Sequence, residues 1–192
     1  MTFSSESVLD LFRQTGAYLT GHFRLTSGLH SPEYLQCAKV LQYPQHAESM
    51  GKALAAAMQV TPDVVVSPAM GGLIIGHEVA RAFGVRHIFT ERDADRKMVL
   101  RRGFAIAPGE TAVVIEDVIT TGGSSVEVIE LLRSLGAQVI AAGSVIDRSG
   151  GSADLGIPRA ALATLTVKAF DPLQCPLCAQ GIPVVKPGSR PA

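Results

Sequence analysis

Two adjacent carboxylates stand at the entrance to a loop of hydroxyl residues and glycines. Glu116 and Asp117 follow an apolar stretch, and after them come Val118, Ile119, Thr120, Thr121, Gly122, Gly123 and Ser124. Glycines let a backbone curl close to a ligand, and hydroxyl groups donate hydrogen bonds to anions. Carboxylates would repel a bare phosphate, but they accept hydrogen bonds from sugar hydroxyls. The pattern therefore favours a ribose 5-phosphate, which carries hydroxyls and a phosphate.

The loop lacks the lysine of the nucleoside-triphosphate P-loop. That motif requires Gly-Lys-Ser/Thr, whereas Gly122 and Gly123 are followed by Ser124. An ordinary strand–turn–helix with a capped N-terminus is the alternative interpretation. It explains the serines, since a cap needs only one hydroxyl, but it leaves the two acids unexplained.

Secondary-structure patterns place this loop between a buried strand and a helix. The expected helix has its apolar positions at Val126, Ile129, Leu132 and Leu135. Residues 64–66 form a second apolar strand, which runs into Ala69, Met70, Gly71 and Gly72 and then into another helix. In open α/β sheets, ligands bind at the carboxyl ends of the strands, where both loops are expected.

The rest of the chain continues the alternation of helices and strands. Further helices are predicted at 7–13 and 44–58, and further strands at 85–89, 98–106, 139–145 and 162–167. This order predicts an α/β domain with a mostly parallel sheet. At 192 residues, the chain is most simply one domain, 1–192.

Composition excludes several classes of function. The 17 basic and 17 acidic residues leave no excess positive charge, which argues against a nucleic-acid binder. No apolar run is long enough to cross a membrane, and residues 1–10 do not resemble a secretory signal. Three cysteines cannot all pair within one chain, so we expect a reduced, cytoplasmic setting.

Residues 116–124 resemble the phosphoribosyl pyrophosphate (PRPP) motif of the type I phosphoribosyltransferases, with Glu as a mild departure at the first acid. The resemblance implies that Glu116 and the catalytic Asp117 hold the ribose hydroxyls. It implies that residues 118–124 complete the PRPP site, with Thr120 also meeting the base. The implied fold is Rossmann-like, its mostly parallel sheet flanked by helices and covered by a small hood from about 1–40 and part of 150–192.

The segment from Phe23 to Tyr34 resembles the N-terminal signature of the orotate phosphoribosyltransferases, Phe-x-Leu-x-Ser-Gly followed by Ser-Pro and an aromatic residue. The resemblance implies that Tyr34 lies against the pyrimidine. A half-buried tyrosine with a solvated hydroxyl is the alternative. Many members carry a lysine where Thr26 stands, and Arg24 is a candidate to replace its charge.

Arg148 follows the predicted strand 139–145 and matches the arginine that pairs with orotate in that family. A guanidinium suits a carboxylate because two parallel N–H bonds fit two oxygens. The alternative is an arginine bonded to Asp147 or to a loop carbonyl.

Two further segments resemble parts of the same family. The loop at Ala69, Met70, Gly71 and Gly72 is similar to the pyrophosphate loop, although a plain tight turn would also place glycines there. Segment 90–97 resembles in its position the mobile loop of that family, which closes over pyrophosphate and often reaches into the neighbouring subunit of a homodimer. Its candidates are Arg92 (catalytic), Arg96 and Lys97, and the alternative is a solvated loop.

The pair Cys175 and Cys178 raises the question of a metal or redox site. Zinc needs four ligands and Cys37 is distant, while the prolines that follow do not suit a thioredoxin-type helix. We expect a short structural or surface turn, with a dimer-spanning metal site as the alternative. His22 and His30 are expected to be surface or hydrogen-bonding residues. The resemblance extends to this ending and so covers nearly the whole chain.

The resemblance implies transfer of ribose 5-phosphate from PRPP to orotate, giving orotidine 5′-monophosphate and pyrophosphate in de novo pyrimidine (UMP) biosynthesis. Mg²⁺ would arrive bound to PRPP, without a cage of protein ligands. The expected partners are PRPP, orotate and a second copy of the chain, with no nucleic acid or membrane. A phosphoribosyltransferase for a purine or uracil would not need Arg148. A regulatory protein that binds PRPP without turnover is the other alternative.

Overall fold

The computed structural model describes residues 4–25 and 27–187, so Thr26 lies outside the described residues. Two sheets are present. The strands, in chain order, are β1 (Tyr18–Arg24), β2 (His30–Leu35), β3 (Val64–Pro68), β4 (Arg86–Arg92), β5 (Met98–Leu100), β6 (Thr111–Ile119), β7 (Gln138–Asp147) and β8 (Arg159–Thr164). The helices are α1 (Ser5–Gln14), α2 (Cys37–Leu41), α3 (Pro44–Met58), α4 (Gly72–Phe83), α5 (Gly123–Ser134) and α6 (Pro176–Ala179), and a short 3₁₀ turn covers Pro172–Gln174.

The central sheet has six strands in the order β5-β4-β3-β6-β7-β8. Every neighbouring pair is parallel except β4 and β5, which are antiparallel. The predicted fold class, a Rossmann-like domain with a mostly parallel sheet, is confirmed. Among the described residues, no helix is both long enough and apolar enough to cross a membrane.

Both faces of the central sheet are buried, which explains its continuous apolar strands. Val65 and Val113 pack in one hydrophobic cluster with α1, α3 and α4, while Val64 and Val114 pack in another with α5. Successive side chains of a strand point to opposite faces, so a strand covered on both sides needs apolar residues at every position.

A smaller sheet pairs β1 with β2 in antiparallel fashion. The C-terminal segment adds to it through backbone hydrogen bonds. His30 and Phe170 exchange N–H···O bonds of 2.9 and 2.8 Å, and the Val185 N–H donates to the His22 carbonyl at 2.8 Å. We refer to β1, β2 and the segment 170–185 as the hood. The hood thus joins the two ends of the chain that were expected to form it.

Several predicted boundaries were wrong. β5 ends at Leu100 rather than continuing to residue 106, because the chain then turns and Arg102 adopts a left-handed conformation with φ of 58°. β8 lies at Arg159–Thr164 rather than at 162–167, and β4 extends to Arg92. Helix α5 ends at Ser134, which leaves Leu135 41% exposed, and Val128 takes its place in the buried face.

The contact between α3 and α4 depends on Gly51. A Cβ atom there would lie 2.5 Å from Glu78 Cβ and 2.7 Å from the Glu78 carbonyl carbon. Alanine in a helix is favoured over glycine by about 1 kcal/mol, but overpacking typically costs about 1–3 kcal/mol. Because the clash is with the backbone of Glu78, which cannot move aside as a flexible side chain can, the cost of overpacking outweighs the gain in helix propensity. We expect Gly51→Ala to lower the free energy of unfolding in urea by about 1–2 kcal/mol.

The matched control is Lys52→Ala. Lys52 is an exposed neighbour on the same helix, and its side chain pairs with the surface carboxylate of Glu48. Its effect should stay within about 0.5 kcal/mol. An increase in stability for Gly51→Ala would contradict the close approach of the two helices.

Candidate active site at the carboxyl edge of the sheet

The loops that follow β3 and β6 face each other across a pocket of about 430 Å³. The end of β4 closes its third side. Its lining residues are Pro68, Ala69, Met70, Gly71, Gly72, Glu91, Arg92, Met98, Glu116, Asp117 and Ser124. The pocket therefore brings together the whole predicted pyrophosphate loop, both predicted acids and one of the three predicted loop cations.

The two loops approach closely because the positions involved are glycines. A Cβ atom at Gly71 would lie 2.5 Å from the Asp117 Oδ1, so the backbone after β3 packs directly on the carboxylate after β6. Gly122 has φ of 83°, in the left-handed region, and a Cβ atom there would lie 2.5 Å from Leu155 Cδ2. A side chain at Gly71 would displace the Asp117 carboxylate from the pocket wall, and a side chain at Gly122 would displace Leu155.

The two acids differ in their surroundings. Glu116 Oε2 accepts a 2.5 Å hydrogen bond from the buried hydroxyl of Ser125, on the first turn of α5. Asp117 Oδ1 accepts a 2.9 Å bond from the Val118 N–H, and Asp117 forms no salt bridge with any described residue. Burial raises the pKa of Asp117 despite this bond. The site therefore holds a desolvated carboxylate that gains from a hydroxyl or a cation.

The loop between β6 and α5 presents backbone amides at the start of a helix. Thr120 and Thr121 are exposed there, and α5 begins at Gly123. The first N–H groups of a helix have no acceptor within it, and its positive end attracts anions. Ser124 lies in this turn and lines the pocket. The arrangement can bind a phosphate next to the two acids.

Arg148 lies beside this loop, held by a 2.8 Å bond from its backbone N–H to the Ile119 carbonyl. The neighbouring Asp147 does not engage its side chain, because Asp147 accepts from Arg159 at 2.6 Å and from Ser149. The Arg148 Nε is buried and has no hydrogen-bond partner among the described residues. Burial also lowers the pKa of Arg148. A desolvated guanidinium with an unpaired N–H is suited to an anionic ligand.

Tyr34, from β2, is half-buried, and its ring centroid lies 5.9 Å from that of Phe23. Burial raises the pKa of Tyr34, while Arg148 and Asp117 act on it electrostatically in opposite directions. The hood thus brings an aromatic ring to the side of the site that holds Arg148. Both interpretations of Tyr34 predict this half-buried position.

The predicted mobile loop is a tight turn between β4 and β5. Arg92 lines the pocket, where its guanidinium donates to the Glu127 carboxylate at 2.8 and 3.2 Å and to the Arg96 carbonyl. Arg96 and Lys97 lie in the turn, where the Lys97 N–H donates to Asp93 at 2.9 Å, and neither lines the pocket. Only Arg92 is therefore placed at the pocket, and α5 holds it there.

Some residues that support the site carry no signal in the sequence. Glu127 reads as a solvent-facing helix position, yet it pairs with Arg92. Beneath the loop after β3, Ser67 Oγ lies 2.7 Å from His87 Nε2, and burial lowers the pKa of His87 to about 4. The imidazole is neutral at pH 7 and occupies the space beside Gly76, where a Cβ atom would lie 2.6 Å from it.

Comparisons with known proteins agree with this geometry. Residues 41–156 match the phosphoribosyl transferase domain family. The chain is 53% identical over 186 residues to an orotate phosphoribosyltransferase of Desulforamulus reducens, covering 96% of this chain and 97% of the relative. It is 51% identical over 190 residues to that of Heliobacterium modesticaldum, covering 97% and 99%.

The chain belongs to the orotate phosphoribosyltransferase family. Among solved structures, the orotate phosphoribosyltransferase from Aeropyrum pernix matches with a TM-score of 0.70 and 26% identity, covering 82% of this chain and 93% of that one. The suspected resemblance to orotate phosphoribosyltransferases is thereby confirmed. The roles of individual site residues stay predictions.

The raised pKa of Asp117 predicts that its ionised carboxylate lowers the stability of the fold at neutral pH. A raised pKa in the folded state means that Asp117 favours folding only when protonated. Its contribution is present below the unfolded pKa and is lost as the pH rises through the folded one. At neutral pH the ionised carboxylate therefore destabilises the fold. We expect Asp117→Asn to raise the free energy of unfolding at pH 7 and to gain less as the pH falls.

Asp63→Asn is the matched control with the opposite sign. Hydrogen bonds from the Thr111 hydroxyl and N–H lower the pKa of Asp63, so its ionised form favours folding at neutral pH. That variant should be less stable than the parent chain in urea unfolding at pH 7. A loss of stability in Asp117→Asn would contradict the desolvation of its carboxylate.

Proposed function

We propose that this chain transfers ribose 5-phosphate from PRPP to a ring nitrogen of orotate, releasing pyrophosphate and forming orotidine 5′-monophosphate. The observation that carries the proposal is Arg148, whose buried Nε has no partner among the described residues. Orotate differs from uracil by a carboxylate, and that charge must be compensated when it leaves water. The half-buried Tyr34 would lie against the pyrimidine. This step belongs to pyrimidine biosynthesis.

The pocket supports a division of PRPP among its walls. We assign the ribose hydroxyls to Glu116 and Asp117, and the 5′-phosphate to the amides and hydroxyls of 120–124. Pyrophosphate would lie along 69–72 and meet Arg92. As the C1–oxygen bond breaks, positive charge grows on the ribose ring, and the desolvated Asp117 stabilises it. Catalysis then rests mainly on positioning and electrostatics.

The donor set also fits Mg²⁺. This hard cation prefers oxygen ligands and keeps several waters, and the pocket offers the carboxylates of Glu116, Asp117 and Glu91. Glu91 is already paired with Arg102 at 2.7 Å, so the two acids of the PRPP motif remain the better candidates. When bound with PRPP, Mg²⁺ would neutralise charge on the pyrophosphate. No cage of protein ligands is needed.

Other features belong to the same proposal. The resemblance of 90–97 to a loop shared between subunits supports a homodimer. Three free cysteines support a reducing, cytoplasmic setting. We also propose that 1–192 acts as a single phosphoribosyltransferase domain, with the hood completing the base side of the pocket.

A panel of bases tests the activity. The protein is incubated with PRPP and Mg²⁺ plus orotate, uracil, adenine, hypoxanthine or no base, and pyrophosphate release is measured. Among these bases, we expect only orotate to support pyrophosphate release, at a rate well above the rate without base. Release with a neutral base but not with orotate would assign another substrate. PRPP binding without release for any base would favour a regulatory protein.

Arg148→Ala tests how the base is selected. A hydrogen bond to a charged group contributes about 1.5–3 kcal/mol, so removal of the guanidinium should raise KM for orotate at least about tenfold. The affinity for PRPP without orotate should change little. Arg148→Lys should recover only part, because an ammonium cannot form two parallel bonds.

Arg86→Ala is the control. Arg86 begins β4, at the end of the strand away from the pocket, and its side chain pairs with Glu110. It should leave KM for orotate unchanged. Unchanged orotate kinetics in Arg148→Ala would contradict the assigned role.

A further inference from the structure

Four side chains that bind soft metals converge inside the hood. His22 comes from β1, His30 from β2, and Cys175 and Cys178 flank the start of α6. Their ligand atoms all lie within 4.8 Å of one another. None of them lines the pocket between the two loops. The sequence separates the histidines from the cysteines by about 150 positions, so only the fold brings them together.

Three nitrogen–sulfur distances in this cluster suit a tetrahedral metal. His22 Nε2 lies 3.5 Å from Cys175 Sγ and 3.8 Å from Cys178 Sγ, and His30 Nδ1 lies 3.3 Å from Cys178 Sγ. Zinc bonds of about 2.3 Å to sulfur and about 2.0–2.1 Å to nitrogen put tetrahedral ligands roughly 3.3–3.8 Å apart. The two ring nitrogens are closer, at 2.9 Å, and would separate slightly around an ion.

The orientation of His22 matches that of a metal ligand. Its Nδ1 lies 2.7 Å from the Ile182 carbonyl, which accepts only if Nδ1 carries the proton. The lone pair of Nε2 then faces the other three side chains. Metal-binding histidines commonly donate their second N–H to a carbonyl or carboxylate in this way, which fixes the tautomer and the ring. The Ile182 carbonyl thus holds the His22 ring in the orientation that a metal ligand needs.

Burial and charge favour a structural ion. His22, His30 and Cys175 are buried, while Cys178 is exposed and gives access from solvent. Two thiolates would balance the charge of a divalent cation, so the buried group would be neutral overall. Four protein ligands leave no position open for a substrate, which distinguishes a structural zinc from a catalytic one. Two sulfurs and two nitrogens in a tetrahedron select zinc over magnesium or calcium.

We propose that His22, His30, Cys175 and Cys178 bind one Zn²⁺ ion that fastens the C-terminal segment to the β1–β2 hairpin. Within the described part of the C-terminal segment, the helical elements are a three-residue 3₁₀ turn and the four-residue α6, and such short elements have little stability of their own. Binding releases the thiol protons and joins two distant parts of the chain, the β1–β2 hairpin and the C-terminal segment. Because β2 carries Tyr34, the ion would also fix the hood that covers the base side of the pocket.

The first test measures metal content in the full-length protein, purified under reducing conditions without an affinity metal. We expect about one zinc per chain by plasma mass spectrometry. Cys178→Ser should weaken zinc binding at least about a hundredfold in competition with a chromogenic chelator, because one of four ligands is lost. Cys178 is exposed, so this change should not unfold the chain.

Cys37→Ala is the matched control, since Cys37 is a buried cysteine outside the cluster. It should keep one zinc with unchanged affinity. Loss of zinc in this control, or full retention in Cys178→Ser, would overturn the assignment of ligands.

A second measurement does not depend on whether the protein is isolated with zinc bound. Co²⁺ added to metal-free protein should give the intense visible bands of a tetrahedral thiolate site in the parent chain and in Cys37→Ala, but not in Cys178→Ser. EDTA, without substrates present, should lower the melting temperature of the parent by several degrees and leave Cys178→Ser unmoved. Less than about a tenth of an equivalent of zinc together with no cobalt bands, or a Cys175–Cys178 disulfide in the reduced preparation, would overturn the proposal.

Discussion

The backbone of Gly71 packs so closely on the Asp117 carboxylate that no side chain fits between them. This contact fixes the distance between the loops after β3 and β6, and so the width of the pocket. The same carboxylate is buried, which raises its pKa, so its ionised form gains from a bound hydroxyl or cation. The shape of the site and its electrostatics therefore meet at this one carboxylate. The parallel strands only bring the loops to the same edge, while the glycine sets how near they come.

Patterns with a local physical cause were predicted correctly from the sequence. Helix α3 was expected and found at 44–58, and the buried strands before both glycine loops lie where their apolar residues indicated. Parallel strands covered on both faces demand such residues, and a loop at their carboxyl ends has little freedom in its position. The pairing of 69–72 with Glu116 and Asp117 followed from that geometry. Most of the residues that line the pocket could therefore be predicted from the sequence.

Contacts between distant segments could not be predicted in the same way. Glu127 and His87 read as an ordinary helix position and an ordinary strand position, and only the tertiary structure gives them Arg92 and Ser67 as partners. The expectation for Cys175 and Cys178 was a short structural or surface turn, and it did not anticipate that His22 and His30 lie beside them. From the sequence, only cysteines were counted as further ligands, whereas the β1–β2 hairpin brings two histidines to this pair from a distant part of the chain.

The ion pair between Arg92 and Glu127 has a consequence for turnover in the proposed reaction. Arg92 pairs with the Glu127 carboxylate, so in the proposed reaction it would exchange one anion for another as the pyrophosphate group of PRPP binds. The affinity for the leaving group would then be a difference between two attractions, and it would be weaker than the attraction of Arg92 for pyrophosphate by itself. An arginine with no resident acid would hold pyrophosphate more tightly after the reaction. In the proposed reaction, Glu127 would pair with the guanidinium again and thereby help the product to dissociate.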